Sequence, residues 1–405
     1  MLNIKDDTKC CGCRNCEVIC PTSAIIMMPN VYGFIYPKID KNKCIACDRC
    51  SRVCPILNEH NNNASFHLQV IAYKINLLKD RMSSQSGGAF ASLAQVFIKM
   101  ADNPVVYGVA MNDKVVAEYQ RITMLEQVKN LVGSKYVQAD MNCIQRLIEQ
   151  DIKSGRAVLF CGTPCYVSAI KQYAGTKRLK IDKLLLVDFL CHGVLSPLIF
   201  EEYKNYLRNE LPIPEIERFR FRDKNIDGWG GRWSTITTKN KKYIDKNWLN
   251  IFHSDNYHRE ICYACQFAKK ERNSDITLSD YWTIGSINQT FTDTAGVSCM
   301  IVNTYKGEKW TKLMEESGIG SYFETKYETA VQRPLYAPTA IPEDRDSAVE
   351  SYRENGIESL IEKDKIVEIK YGIPLTKDLE FLKRYYLFRL KNSWTWRQIK
   401  KIIRR

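Results

Sequence analysis

Two matched cysteine runs near the N-terminus constrain this 405-residue chain more than any other feature. The first is Cys10, Cys13, Cys16 and Cys20, followed by Pro21; the second is Cys44, Cys47, Cys50 and Cys54, followed by Pro55. Each reads C-x2-C-x2-C-x3-C-P, the bacterial pattern for a pair of 4Fe-4S clusters. Thiolate is a soft ligand that selects iron–sulfur or zinc. Zinc knuckles, however, pair two C-x2-C units and do not set a trio against a distant fourth cysteine before proline. In the iron–sulfur pattern the fourth cysteine of each run serves the other cluster. The spacing therefore assigns Cys10, Cys13, Cys16 and Cys54 to one cluster and Cys44, Cys47, Cys50 and Cys20 to the other. Ile25, Ile26, Ile45, Val53 and Ile56 are expected to wall the cubanes from water.

The chain is long enough for two or three domains, and its 45% hydrophobic share is ordinary for a soluble protein. Met1 to Lys9 has no signal-peptide pattern, and no apolar run of about 18 residues spans a bilayer. Sixteen cysteines in such a chain suggest metal or redox chemistry rather than disulfides, with the cytoplasm as the expected compartment. The net charge of +13 is local: residues 375–405 hold ten Lys/Arg against Asp378 and Glu380, which is +8 of the total. Leu379, Leu382, Tyr386, Leu390, Trp394 and Ile402 give that segment an apolar helical side. Two readings fit it: a helix packed on the protein with a solvated basic side, or peripheral contact with an anionic membrane at the inner face of the cell membrane. With the basic charge confined there and no recognisable motif, nucleic acid is not an expected partner.

The fold class expected is α+β, in three parts. Residues 1–57 form a bacterial-type dicluster ferredoxin domain, and a polar linker over 58–66 contains Asn61-Asn62-Asn63. Residues 67–335 form a larger α/β flavin-binding domain, and 336–405 a helical basic tail. In the middle part, strands are predicted at Val70–Tyr73, Val105–Val109, Ala157–Phe160, Leu184–Leu190, Asp275–Leu278 and Ser298–Val302. Helices between them cover Gly88–Met100, Met141–Lys153, Thr163–Tyr173 and Pro197–Leu211. Residues 215–245 have more strand character.

Several motifs sit at strand ends. Ser86-Gly87-Gly88, preceded by Arg81, lies between a strand and a helix and reads as a phosphate cradle for a dinucleotide. Gly133-Ser134-Lys135-Tyr136 adds a cation and an aromatic ring. Neither GxGxxG nor GxxxxGK[ST] occurs. Cys161-Gly162-Thr163-Pro164-Cys165 opens a helix, where thiols ligate metals readily. Cys191-His192-Gly193 ends a buried strand, where α/β sheets place their sites. With Cys262-x2-Cys265 these make five cysteines for one more four-ligand cluster. Cys165, Cys191, Cys262 and Cys265 are the expected ligands, with Cys161 spare or substituting. Cys143 and Cys299 stand alone and read as structural.

Together these motifs resemble the coenzyme F420 hydrogenase/dehydrogenase β-subunit family with an N-terminal two-cluster ferredoxin domain. The stretch Ser274-Asp275-Ile276-Thr277-Leu278-Ser279-Asp280-Tyr281-Trp282 reinforces the resemblance, which covers about residues 5–335. Ser279 and Thr283 stand where the family pattern has glycine. The resemblance implies FAD, a further 4Fe-4S cluster in the flavin domain and hydride exchange at the flavin. Arg81, Ser86, Gly87, Gly88, Lys135, Tyr136, Gly162 and Thr163 are the expected cofactor-binding residues, and His192 and Asp280 the expected proton carriers to substrate. The function expected is an iron–sulfur flavoprotein oxidoreductase that relays electrons between a ferredoxin or other redox protein and FAD, with hydride transfer to or from a small-molecule substrate. The alternatives are a non-catalytic electron-transfer subunit and a membrane-associated cluster-bearing assembly protein.

Overall fold

The computed structural model describes residues 9–58, 69–211, 213, 215–370, 373–374, 382–383 and 385–387. Its strands in chain order are β1 (Ile25–Pro29), β2 (Ile35–Ile39), β3 (Gln69–Ile75), β4 (Val105–Met111), β5 (Ala117–Ile122), β6 (Val158–Gly162), β7 (Leu184–Phe189) and β8 (Ile216–Arg220). After these come β9 (Ser234–Thr238), β10 (Lys242–Asp245), β11 (Ile276–Asp280), β12 (Ser298–Val302), β13 (Gly320–Thr325), β14 (Ile366–Lys370) and β15 (Ile373–Pro374).

The cysteine repeat has a backbone counterpart. Gly12 and Arg14 take positive φ of 75° and 61°, and their equivalents thirty-four positions on, Ala46 and Asp48, take 51° and 57°. A short helix follows each turn, Asn15–Ile19 and Arg49–Arg52. The tight turn curls the chain so that cysteines three apart face one centre. Between the two runs, β1 and β2 pair antiparallel, with Ile25 opposite Ile39.

The central sheet has eight strands in the order β13-β3-β12-β11-β7-β6-β4-β5. Its inner pairs β11–β7, β7–β6 and β6–β4 are parallel. Helices therefore cover both faces, and side chains alternate between two cores. Leu159, Leu185 and Val187 join the core under the helix Ala89–Met100. Val158, Phe160, Leu184 and Leu186 join the opposite core, under the helix Pro164–Thr176.

The dicluster unit docks on that second face, where Cys11 and Cys13 are part of the core. Three amides of the contact belong to buried side chains. Gln138 Nε2 donates to the Cys11 carbonyl at 2.9 Å, Gln145 Nε2 to the Cys13 carbonyl at 2.6 Å, and Asn15 Nδ2 to the Ala169 carbonyl at 2.8 Å. Each such bond contributes about 1 kcal/mol net, and the loss of a partner inside costs more. Arg14 closes the rim with two 2.5 Å bonds to Asp140. The cysteine loops are thus positioned by the larger domain as well as by their own turns.

A second sheet, β15-β14-β10-β9-β8, is antiparallel throughout. It corrects the reading of the region after 335 as helical. That region has the helix Arg345–Asn355, but β14 then pairs with β10, Val367 facing Ile244. Alternation in Ile366–Lys370 is hidden by its glutamate and lysine. The predicted basic amphipathic helix over 375–405 lies almost wholly outside the described residues. No helix among the described residues is long and apolar enough to cross a membrane.

Candidate redox site

The eight cysteines of the repeat line two separate cavities. Cys10, Cys13, Cys16 and Cys54 line one, with Met27 and Ile56 in its wall. Cys20, Cys44, Cys47 and Cys50 line the other, with Ile25, Ile39 and Ile45. The fourth cysteine of each run thus sits with the trio of the other. No three His, Cys, Asp or Glu side chains among the described residues converge on a point that would grip a single ion; the thiols enclose volumes instead. The first cavity is internal, its four cysteines all buried. The second is nearer solvent, its four cysteines half-buried. Ile26 and Ile45, expected as walls, are 52% and 63% exposed, so the outer cavity is open on that side, whereas Ile25 and Val53 are buried.

Ionisation of the thiols follows this difference. Burial pushes Cys16 and Cys54 up, with further repulsion from Cys10. At Cys20 burial also acts upward, but N–H groups of Thr22, Ala24 and Ile25 outweigh it and bring the thiol below its ordinary value. The Ala24 N–H lies 3.3 Å from Cys20 Sγ. N–H to sulfur bonds of this kind favour thiolate, the form that binds metal.

A third group of thiols lies at the carboxyl ends of β6 and β7, where parallel strands direct their loops. Cys165 stands in the first turn of the helix Pro164–Thr176 and Cys191 just after β7. Cys262 and Cys265 come from and just after a short 3-10 turn, Glu260–Ala264. Burial pushes Cys191 up to about 12, and repulsion from Cys165 and Cys265 adds to it. Cys262 is raised by burial and then by Cys191, Cys265 and Cys165. The four thiols act on one another's charge, which puts them in the same region of the fold. Behind them, the buried pair Arg272–Asp188, 2.8 Å apart, anchors the chain after Cys265, and Arg272 Nη1 also donates to the Phe267 carbonyl at 2.9 Å.

Cys161 is not in this group. Strand alternation places it on the core face opposite Phe160, and burial, with the charge of Asp188 adding and that of Lys135 opposing, pushes it up to about 12. Cys11, which the spacing argument left aside, is the link instead. It is 4% exposed and shares side-chain hydrogen bonds with both Cys13 and Cys165. It joins the first cavity to the third thiol group. Only its place one residue after Cys10 could have drawn attention to it.

Beyond the thiols, the carboxyl end of β11 carries Asp280. Trp229 Nε1 donates to Asp280 Oδ1 at 2.6 Å, and Arg222 Nη1 donates to Oδ2 at 3.0 Å and to the Tyr136 hydroxyl at 3.3 Å. Trp282 stacks on Trp229 at 4.8 Å and lies 5.4 Å from the Arg222 guanidinium, with half of its surface open. His192 is exposed near Asp280; burial lowers its imidazole pKa and the carboxylate opposes that shift. Asp280 is held by Arg222 and Trp229, whereas its link to His192 is through charge alone. Arg222, Trp229 and Trp282 complete the group, and no sequence motif singled out Arg222.

Lys224 is fully buried and donates to the carbonyls of Arg81, Ser86 and Ala295, each at 2.6 Å. Burial brings its ammonium down to about 7, with Arg220 adding repulsion. Arg220 Nη2 donates to the Met82 carbonyl at 2.5 Å. Lys135, also lowered to about 7 by burial, donates to the carbonyls of Leu131 and Val132 at 3.0 Å and lies near Arg218. Buried polar atoms without a partner occur on the same segment as the Met82 carbonyl: Arg81 Nε, Ser84 Oγ and Gln85 Nε2.

The phosphate cradle expected at Ser86-Gly87-Gly88 takes a different form. The Gly87 N–H donates to Ser298 Oγ at 2.9 Å, and Ser86 Oγ donates to the Val297 carbonyl at 2.7 Å. A Cβ on Gly87 would come within 2.2 Å of the Tyr73 carbonyl oxygen, so this glycine serves close packing of the helix start against β3 and β12. The buried polar atoms without partners lie one turn earlier, at 81–85. Gly162 is likewise packed inward, and Thr163 Oγ1 contacts Cys165 Sγ at 3.2 Å.

Comparison with known proteins follows the same division. Residues 9–57 match a 4Fe-4S dicluster domain. Residues 155–327 match a family described as the C terminus of the coenzyme F420 hydrogenase/dehydrogenase beta subunit. No curated protein matches the chain. Among solved structures, a chain of a xenon-derivatised F420-reducing NiFe hydrogenase complex from Methanosarcina barkeri is 13% identical, over 65% of this chain and 84% of that one, with a TM-score of 0.43. At that score the likeness carries no argument.

Proposed function

We infer the function from the premise that this chain is an iron–sulfur redox protein, a 4Fe-4S dicluster domain joined to the C-terminal region of the coenzyme F420 hydrogenase/dehydrogenase beta subunit family. The reading is a flavin-linked oxidoreductase that exchanges electrons with a ferredoxin-like partner at its N-terminal unit and hydride with a small substrate near Asp280. The observation that carries it is the succession of thiols: the outer quartet at Cys44 and the inner one at Cys10 line two cavities, and Cys11 links the inner one to Cys165 in the half-buried group Cys165, Cys191, Cys262 and Cys265, beyond which the reading puts a basic, aromatic-lined cleft around Asp280.

Cys10, Cys13, Cys16 and Cys54 would hold the inner cluster of the dicluster domain, and Cys20, Cys44, Cys47 and Cys50 the outer. Cys165, Cys191, Cys262 and Cys265 would hold a third. The basic cleft fits FAD on the chemistry of its donors. Arg81, Ser84 and Gln85 present buried polar atoms without partners, and Lys135 and Arg218 add cationic charge suited to a diphosphate. When bound, flavin converts one-electron input into two-electron hydride chemistry, which iron–sulfur clusters do not deliver.

The chain's own residues then have distinct tasks. Lys135 and Lys224, brought down to about 7 by burial, would take up a proton and become cationic beside an anionic cofactor. Tyr136 and Arg222 fix the orientation of Asp280. His192, exposed at the mouth, would deliver or accept the substrate proton. Trp282 offers a flat surface against which a planar group stacks.

Anaerobic purification with iron, sulfide and flavin analysis tests this reading. About twelve irons, on a three-cubane count, with bound FAD support it. About eight irons without flavin would replace it with a simple electron carrier. Turnover with reduced ferredoxin and a candidate acceptor separates an enzyme from such a carrier.

A further inference from the structure

Arg259 is among the most deeply buried cations of the molecule, at 1% exposure. All its polar partners are neutral. Nε donates to the Cys10 carbonyl at 2.6 Å, Nη2 to the Ile35 carbonyl at 2.7 Å and Nη1 to Gln138 Oε1 at 3.0 Å. The guanidinium lies 4.3 Å from the Tyr36 ring and 5.3 Å from that of Phe34. Among the described residues no carboxylate pairs with it. The other fully buried guanidinium of the domain, Arg272, has Asp188 as counter-ion.

A buried charge with hydrogen bonds but no counter-charge is a costly arrangement. The groups whose charge acts on Arg259 are Cys10 first, then Tyr36, Tyr166 and Cys11. The turn at Gly12 wraps the guanidinium so closely that a Cβ there would stand 3.0 Å from Nη1. The backbone of the same arginine opens the turn of the third thiol group, its carbonyl accepting from the Cys262 N–H at 2.8 Å. Arg259 therefore sits between two quartets, and four thiolates around a cubane carry the net negative charge that would balance it.

We propose that Arg259 is a positioning residue that sets the reduction potential of the cluster held by Cys10, Cys13, Cys16 and Cys54, raising it above that of the outer cluster. This rests on the reading that those thiols bind a 4Fe-4S cluster. Reduction adds an electron to an already anionic centre, and net charge and burial around a cluster set its potential. A fixed cation in a poorly screened interior favours the reduced form. The outer quartet is half-buried and the cation in its wall, Arg49, is exposed and screened by water, so its bias is weaker and electrons arriving from outside settle inward.

The test is a redox titration followed by EPR on the full-length, anaerobically purified protein. In R259Q the inner cluster should need a more negative potential, its oxidised-to-reduced ratio at the wild-type midpoint changing at least tenfold, 59 mV for one electron. R259K should stay near wild type, and the outer cluster should not move in either. An iron-replete R259Q with the wild-type potential overturns the proposal, as does an R259K shifted as far as R259Q. If R259Q loses its iron, Q138E decides. A carboxylate facing Nη1 neutralises the guanidinium where it stands and should shift the inner potential the same way, and a loaded Q138E at the wild-type potential overturns the proposal. Wild-type protein without 4Fe-4S clusters overturns both this proposal and the reading beneath it, whereas an unshifted, iron-replete variant overturns this proposal alone.

Discussion

Arg222 and Asp280 meet at 3.0 Å across two separate parts of the fold, Arg222 two residues after β8 of the second sheet and Asp280 at the end of β11 in the central sheet. Both side chains are largely buried, at 9% and 15% exposure. The pair fixes how the second sheet sits over the carboxyl edge of the first, and it holds Trp229 and Trp282 beside the cleft.

Breaking that pair separates structure from chemistry. Asp280→Leu leaves a buried guanidinium without its counter-ion and should lower stability by about 3 kcal/mol. Asp280→Asn keeps one acceptor oxygen, enough for Arg222 or Trp229 but not both, and should lower it by less, about 1–2 kcal/mol. Urea denaturation at fixed pH measures both. If Asp280 acts on the substrate proton, the Asn variant should retain full iron and flavin and lose most of its turnover.

The crossed arrangement of the dicluster cysteines makes a selective prediction. Cys54→Ala should remove the same EPR signal as Cys10→Ala, and about four irons with it. Cys20→Ala should instead match Cys44→Ala. Variants that group by sequence run, Cys54 with Cys44, would refute the crossing.

Cys161 and Cys165 are four residues apart on opposite faces of the sheet. Cys161→Ser should leave the iron content unchanged. Cys165→Ser should lose one cluster's worth, about four irons. Equal losses in both, by iron assay on anaerobic protein, would place Cys161 among the ligands after all.

His258 gives the fold a pH dependence of defined sign. Burial, with His192 and His253 alongside, pushes its imidazole down to about 3, and neither ring nitrogen has a hydrogen-bond partner. The unfolded chain takes up this proton near the ordinary value of about 6.5, the folded protein only near 3. Between those limits the unfolded state binds more protons, so acidification from pH 6.5 towards 3 destabilises the fold, by up to about 1.4 kcal/mol per pH unit. His258→Phe should flatten that slope in urea melts at about pH 6 and pH 5. The close packing of His258 against Gly193, whose φ is 135° and whose Cβ would come within 2.5 Å of the ring, should make Gly193→Ala strongly destabilising by contrast.

Much of this protein is local and therefore legible in its sequence. The cysteine spacing, with prolines at 21 and 55, fixes two thiol quartets because turns of three residues permit little else. The buried strands β4, β6, β7 and β12 show as mainly apolar runs because both their faces are covered. Edge strands β5 and β13 give no such signal, since Glu118, Gln120 and Arg121 in one and Ser321, Glu324 and Thr325 in the other break the apolar pattern. What only the tertiary structure decided are encounters between distant segments: Cys11 against Cys165, Arg222 against Asp280, and Arg259 reaching from the Cys262 turn to the Cys10 carbonyl. Arginine and a lone extra cysteine carry no spacing signal of their own. Their roles arise when burial strips away water and leaves each charge or thiol with whatever the fold has placed beside it.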